Sequence, residues 1–200
     1  MAEQVQITLF SFDELPEESQ QKLIEAFQQD YEPDYSIVYD EFIIDMSEQY
    51  GSNIKEDDIL WSGFWSQGDG ASFVCEFDEE VIFPILKERL SGGHEVQQLE
   101  ELGVKIRHAA SIRSPSHYVH ENTVHGYLIF DVPGGKEFDV EIANTLEEAL
   151  TEIIRDSCKD LYRRLESYYD EETEDEAIKQ QIKECYPGCH FRKDGTIFAR

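Results

Sequence analysis

Leu146, Leu150, Ile153, Ile154, Leu161, Leu165 and Tyr168 recur at intervals that place them on one stripe of an α-helix. Thr145 followed by Glu147 and Glu148 supplies a start signal, so a long helix is predicted over 145–169. A stripe of this length must be covered by other elements to stay out of water. The remaining chain has the material: 40% of its 200 residues are hydrophobic and 12% aromatic, too many for a disordered chain and enough for a sizeable core.

The covering elements are legible as patterns. "VQITLF" at 5–10 alternates as a short strand. In the stretch that follows, Pro16 suits a first helical turn, Glu17 and Glu18 its positive end, and Leu23, Ile24 and Phe27 the apolar side. A second helix is predicted over 35–50, stopped by Gly51. Residues 59–77 alternate as a β-hairpin turning at "QGDG", with Ile59, Trp61, Gly63 and Trp65 on one face and "ASFVCEF" as the return strand. A helical stretch over 79–90 should be bent or divided by Pro84, and "EVQQLEELG" forms a short helix. "VKIRHAASIR" is a strand with Val104, Ile106, His108, Ala110 and Ile112 on one face. "HYVHENTVHGYLIFDV" gives one or two more, and "PGG" at 133–135 a turn. After the long helix come a charged link, "DEETEDE", a helix in "AIKQQIKECY" and a hairpin turning at Asp194–Gly195. The expectation is a single α+β domain over 1–200: a central antiparallel sheet of four or more strands flanked by N-terminal and C-terminal helices.

Charge restricts the partners. With 44 acidic residues against 17 basic ones the chain carries −27, so it repels nucleic acid and anionic membrane surfaces and is drawn to basic ones. No signal peptide is expected from "MAEQVQITLFSFDELPEE", and no run of 18 apolar residues predicts a membrane span. Cys75, Cys158, Cys185 and Cys189 are then read as reduced thiols of a cytoplasmic protein. Cys185, Cys189 and His190 make only half a zinc site, and neither metal nor cofactor is assigned.

The densest motif is "WSGFWSQGDGASF" at 61–73. It contains no nucleophile elbow, phosphate loop or dinucleotide fingerprint. Aromatics and glycines in alternation suit a packed hairpin; Trp65, Gln67 and Asp69, with His117 and His120, remain as a pocket for a small ligand such as a nucleotide. His108, His117, His120 and His125 do not form a metal set on regular strands, because odd spacings alternate faces. No catalytic residue is assigned, and the first reading is not an enzyme.

The segments "FDELPEESQQKLIEAF", "SGFWSQGDGASF", "KIRHAASIRSPSHYVHEN" and "IIRDSCKDLYRRLESYYDEETEDEAIKQQI", in that order, resemble a family of uncharacterised phage and prophage proteins. Pro16 stands where members usually carry Ser or Asn. The resemblance spans nearly the whole chain. It implies phage origin and action in the cytoplasm of a bacterial host, and brings no activity with it.

The acidic faces point to a partner. Residues 1–60 hold sixteen Asp and Glu against two Lys. Glu41, Asp45 and Glu48 fall on one face of the second helix, extended by Asp34 and Asp40. Asp170, Glu171, Glu172, Glu174, Asp175 and Glu176 form a second block. A carboxylate ladder of this density imitates duplex phosphates. The expected function is a phage-encoded inhibitor that binds a basic host protein handling nucleic acid or defence (a CRISPR effector, restriction enzyme or RNA polymerase). The alternative is a nucleotide-binding protein or hydrolase using the Trp65, Asp69 and His117 region.

Overall fold

In a computed structural model, which describes residues 6–90, 93–135 and 138–198, the chain divides into two compact units. One comprises the described residues up to Asp34 and from Ser167 onward; the other runs from Tyr35 to Glu166. Helices and antiparallel strands are mixed, as the patterns predict.

In the first unit, α1 (Glu17–Asp30) and α6 (Asp175–Cys185) bury Leu23, Ile24, Ile178 and Ile182 against Phe12, Leu15 and Phe191. Pro16 occupies the position before α1 rather than its first turn. Of the strand expected over 5–10, Val5 lies outside the described residues, and only Phe10 pairs, in a bridge to Phe191. The closing hairpin turns where expected: Gly195 has φ 86°, and Arg192 N–H donates to the Thr196 carbonyl at 2.9 Å.

In the second unit, α2 (Ser36–Tyr50) ends at Gly51, whose φ of 66° lets its N–H reach the carbonyls of Met46 and Ser47. Among the described residues the predicted single sheet of four or more strands does not form. The strands form a two-stranded sheet, β1 (Ile59–Ser62) with β2 (Gly70–Phe73), and a three-stranded one, β3 (Cys75–Phe77), β4 (Lys105–Arg113) and β5 (Val124–Asp131). The cause lies at Val74. Its N–H bonds to the Asp58 carbonyl at 3.3 Å, and there the chain leaves β1 and begins pairing with β4, so "ASFVCEF" is two strands. Side chains of β4 cross the seam: Ser111 Oγ donates to the Phe73 carbonyl at 2.9 Å, and Arg113 Nη2 donates to the carbonyls of Ser72 and Asp58.

Three further expectations are corrected. The β1–β2 turn is wider than "QGDG", because pairing stops at Ser62 and Gly70; Trp65 is therefore in the loop and not on a strand face. A bulge between Ile106 and His108 shifts the register of β4, and beyond it one-face burial does not hold: Ala109, Ala110 and Ser111 are all buried and Ile112 is exposed. Helix α3 (Glu79–Glu88) passes through Pro84 without division. Asp78 caps it by accepting the Glu80 N–H at 2.8 Å, and fully buried Ile82 and Leu86 hold the turns on either side. Between α3 and β4 lies α4 (Gly93–Leu102).

The long helix, α5 (Val140–Glu172), exceeds its predicted span at both ends. Its cap is Asp139, which accepts the Glu141 N–H at 2.9 Å, while Thr145 is internal and bonds back to the Glu141 carbonyl. Leu146, Leu150, Ile154, Leu161 and Leu165 are fully buried. Gly126 lets α5 approach the sheet: a Cβ there would stand 2.7 Å from Leu150 Cγ. Thr151 and Glu147 accept the edge N–H groups of Gly126 and Leu128, closing the β5 edge to other strands.

Candidate functional site

Helix α2 buries Val38, Phe42 and Met46. The residues between them necessarily face out, and Asp40, Glu41, Asp45 and Glu48 are all exposed. They share that surface with Ile37 and Ile44, which are 54% and 55% exposed. Asp45 stands apart from the others: it pairs with Arg164 Nη1 at 2.7 Å, and the same guanidinium binds Asp160 at 2.8 Å and lies over the Phe42 ring. These groups rim a hollow of about 210 Å³. Among the described residues no cation lies within ion-pair distance of Asp40, Glu41 or Glu48. The first turn of α2 carries no acid and the last no base, so the helix dipole does not offset this charge, and it opposes Glu48.

The second acidic block is partly occupied within its own unit. Asp170, Glu171 and Glu172 close α5; Glu174 precedes α6, and Asp175 and Glu176 lie in its first turn, where the dipole favours them. Glu172 accepts a bond from the Tyr31 hydroxyl at 2.8 Å, Asp175 one from Gln28 at 3.1 Å, and Glu176 pairs with Lys179. Burial raises the Tyr168 hydroxyl pKa, and Glu172 and exposed Asp34 raise it further.

The loop over 63–69 projects Trp65, which is 72% exposed and has φ 70°. Beneath it, Trp61 donates its indole N–H to the Tyr39 hydroxyl at 2.7 Å, and Phe64 packs against Trp61, Trp65 and Tyr162. The Asp69 carboxylate accepts the Ser66 N–H at 2.6 Å and clamps the loop. Gly68 and Gly70 lie against Tyr118 and His120, so the motif and the 117–120 segment do meet. His117 and Gln67 are exposed, and His120 turns its Nδ1 to the Asn122 N–H at 3.1 Å. Among the described residues no hydrogen bond joins Asp69 to His117 or His120.

Sequence reasoning missed Ile37, Ile44, Tyr118 and Arg164. The signal for the first two was available, since both fall off the Val38–Phe42–Met46 stripe. Arg164 carried none, because its pairing with Asp45 is made by the fold.

Cys75 and Cys158 are buried, and Cys185 and Cys189 exposed. Burial raises the Cys75 thiol and pushes Cys158 up to about 12. At pH 8 a thiol reagent should modify Cys185 and Cys189 and spare the other two until denaturant is added; four rapid reactions in native protein would contradict the burial. Buried Cys75 and Cys158 keep their protons where unfolded thiols ionise, so their contribution to stability is intact below about pH 8.5 and declines above it. Among the described residues no three His, Cys, Asp or Glu side chains converge to hold a metal, and no helix is long and apolar enough to cross a membrane.

The chain is a mixed helix-and-strand protein that carries an exposed acidic helix face and a loop with an exposed tryptophan. The family model for a domain of unknown function, DUF8835, matches residues 27–175, and the chain belongs to that family. No curated protein and no solved structure matches it.

Proposed function

We propose that the protein is an acidic, non-enzymatic binder that covers a basic, nucleic-acid-binding surface of another protein, as a phage-encoded inhibitor of a host defence or nucleic-acid enzyme would. The observation that carries this is the outer face of α2. Asp40, Glu41 and Glu48 stand exposed, with no cation within ion-pair distance among the described residues, beside two exposed isoleucines. Carboxylates left unpaired in a chain of −27 repel one another and stay satisfied only by water. A partner carrying Lys and Arg around an apolar strip would complement both kinds of side chain, and the net charge would steer its approach. The 170–176 block contributes to the long-range field more than to contacts, because several of its carboxylates are already engaged.

The test uses immobilised host RNA polymerase, a restriction enzyme and a CRISPR effector as separate probes, with wild type and the variant Asp40→Asn/Glu41→Gln/Glu48→Gln. At least one probe should bind wild type and lose it with rising salt, and the variant should bind about tenfold more weakly while its melting temperature stays level or rises. Equal affinity of the two proteins for the probe that binds would refute the assignment of the α2 face.

A further inference from the structure

We propose that Trp65 is a docking anchor for an arginine side chain on a positively charged protein segment. The inference rests on the preceding reading only for the sign of the partner's charge, since the site is defined without α2.

A tryptophan in water forgoes a large burial gain, and Trp65 is 72% exposed. Its backbone is also strained: among the described residues it is the one non-glycine with positive φ, at 70°. That conformation is disfavoured for any side chain with a Cβ and persists only where its surroundings impose it. Here they do. The Asp69 carboxylate takes the Ser66 N–H at 2.6 Å, and the Ser66 carbonyl takes the Asp69 N–H at 3.2 Å. Gly68, with φ 95°, lies so close to the Tyr118 ring that a Cβ would stand 2.7 Å from it. On the other side, the Tyr162 hydroxyl donates to the Gly63 carbonyl at 3.2 Å, and the Phe64 ring stacks 5.1 Å from Trp61. The loop is therefore held at both ends in a shape that turns its largest side chain outward. Tyr118, against which it rests, is itself 55% exposed.

Charge chooses the occupant. An indole face attracts cations, and a net charge of −27 brings them to it while repelling nucleotides and nucleic acid. Arginine fits better than lysine because its guanidinium is planar, weakly hydrated and stacks on aromatic faces.

The experiment measures binding of a glycine–arginine repeat peptide, its lysine counterpart and a single-stranded oligonucleotide to wild type, Trp65→Gly and the α2 triple variant, by calorimetry. Trp65→Gly removes the ring and relieves the positive φ, and because it also gives up the Phe64 contact its melting temperature is measured alongside binding; Trp65→Leu, which keeps an apolar side chain in the loop, should lose the arginine preference in the same way. The expected result is that wild type prefers arginine over lysine peptide, and that Trp65→Gly weakens arginine binding about three- to fivefold and abolishes the preference. Undiminished arginine binding in Trp65→Gly would overturn the proposal, as would tighter binding of the oligonucleotide, or a wild-type dimer that Trp65→Gly dissociates. Loss in the α2 variant alone would leave the proposed function standing without this anchor; loss in Trp65→Gly alone would do the reverse.

Discussion

Gly70→Ala should lower the urea midpoint sharply, with a loss of about 3 kcal/mol, at the upper end of what overpacking a tight site costs. Gly70 is buried in β2 opposite Ser62. An added Cβ would stand 2.5 Å from His120 Cβ and 2.9 Å from its Cα. Neither atom belongs to the movable end of a side chain, so the 117–120 segment must retreat as a whole and withdraw Tyr118 from Gly68. The second-site response separates this cause from a general intolerance of β2. His120→Ala keeps the offending Cβ and should rescue nothing, whereas His120→Gly should recover a measurable part of the loss. A midpoint unchanged in Gly70→Ala would mean that strand and segment are not in contact in solution.

The second large effect is expected at Phe73. Its ring is fully buried and meets Phe42 edge-on, 5.5 Å between centroids and 65° between planes. Truncation to Ala removes a large apolar group where the close packing of α2 and β2 allows little collapse, so about 3–5 kcal/mol should be lost. The change should appear in the midpoint with little change in the denaturant slope. Phe73→Leu should retain much of the stability. A truncation cost below about 1 kcal/mol would mean that the site refills by local rearrangement.

Much of the fold was legible because helices announce themselves over many residues. The stripe from Leu146 to Leu165 and the glycine at 51 each carried one unambiguous signal, as did Asp194–Gly195. The break between β2 and β3 carried none: Phe73, Val74 and Cys75 look like three consecutive positions of one strand, and only competition between β1 and β4 for their backbone divides them. Helix α5 outran its prediction for a related reason. Asp139 caps as well as Thr145 could, and the periodic pattern is weak across the first turns. In the candidate site, composition located the charge but not its availability. Asp45 and Glu48 look alike in sequence, yet Arg164 takes Asp45 and leaves Glu48 to solvent. Trp65 looked like a strand residue until pairing stopped at Ser62.

The seam between the two sheets has a consequence for which substitutions the chain can accept. A backbone ladder is indifferent to side-chain identity, since every residue but proline brings the same N–H and C=O. Where β2 gives way to β3, the carbonyls of Phe73 and Ser72 are served instead by the Ser111 hydroxyl and the Arg113 guanidinium. Two positions thus do with side chains what a ladder does with its backbone, and at those positions the chain has lost its usual freedom to drift. Ser111 can be exchanged only for another small donor, and Arg113 only for a group that reaches as far and still donates.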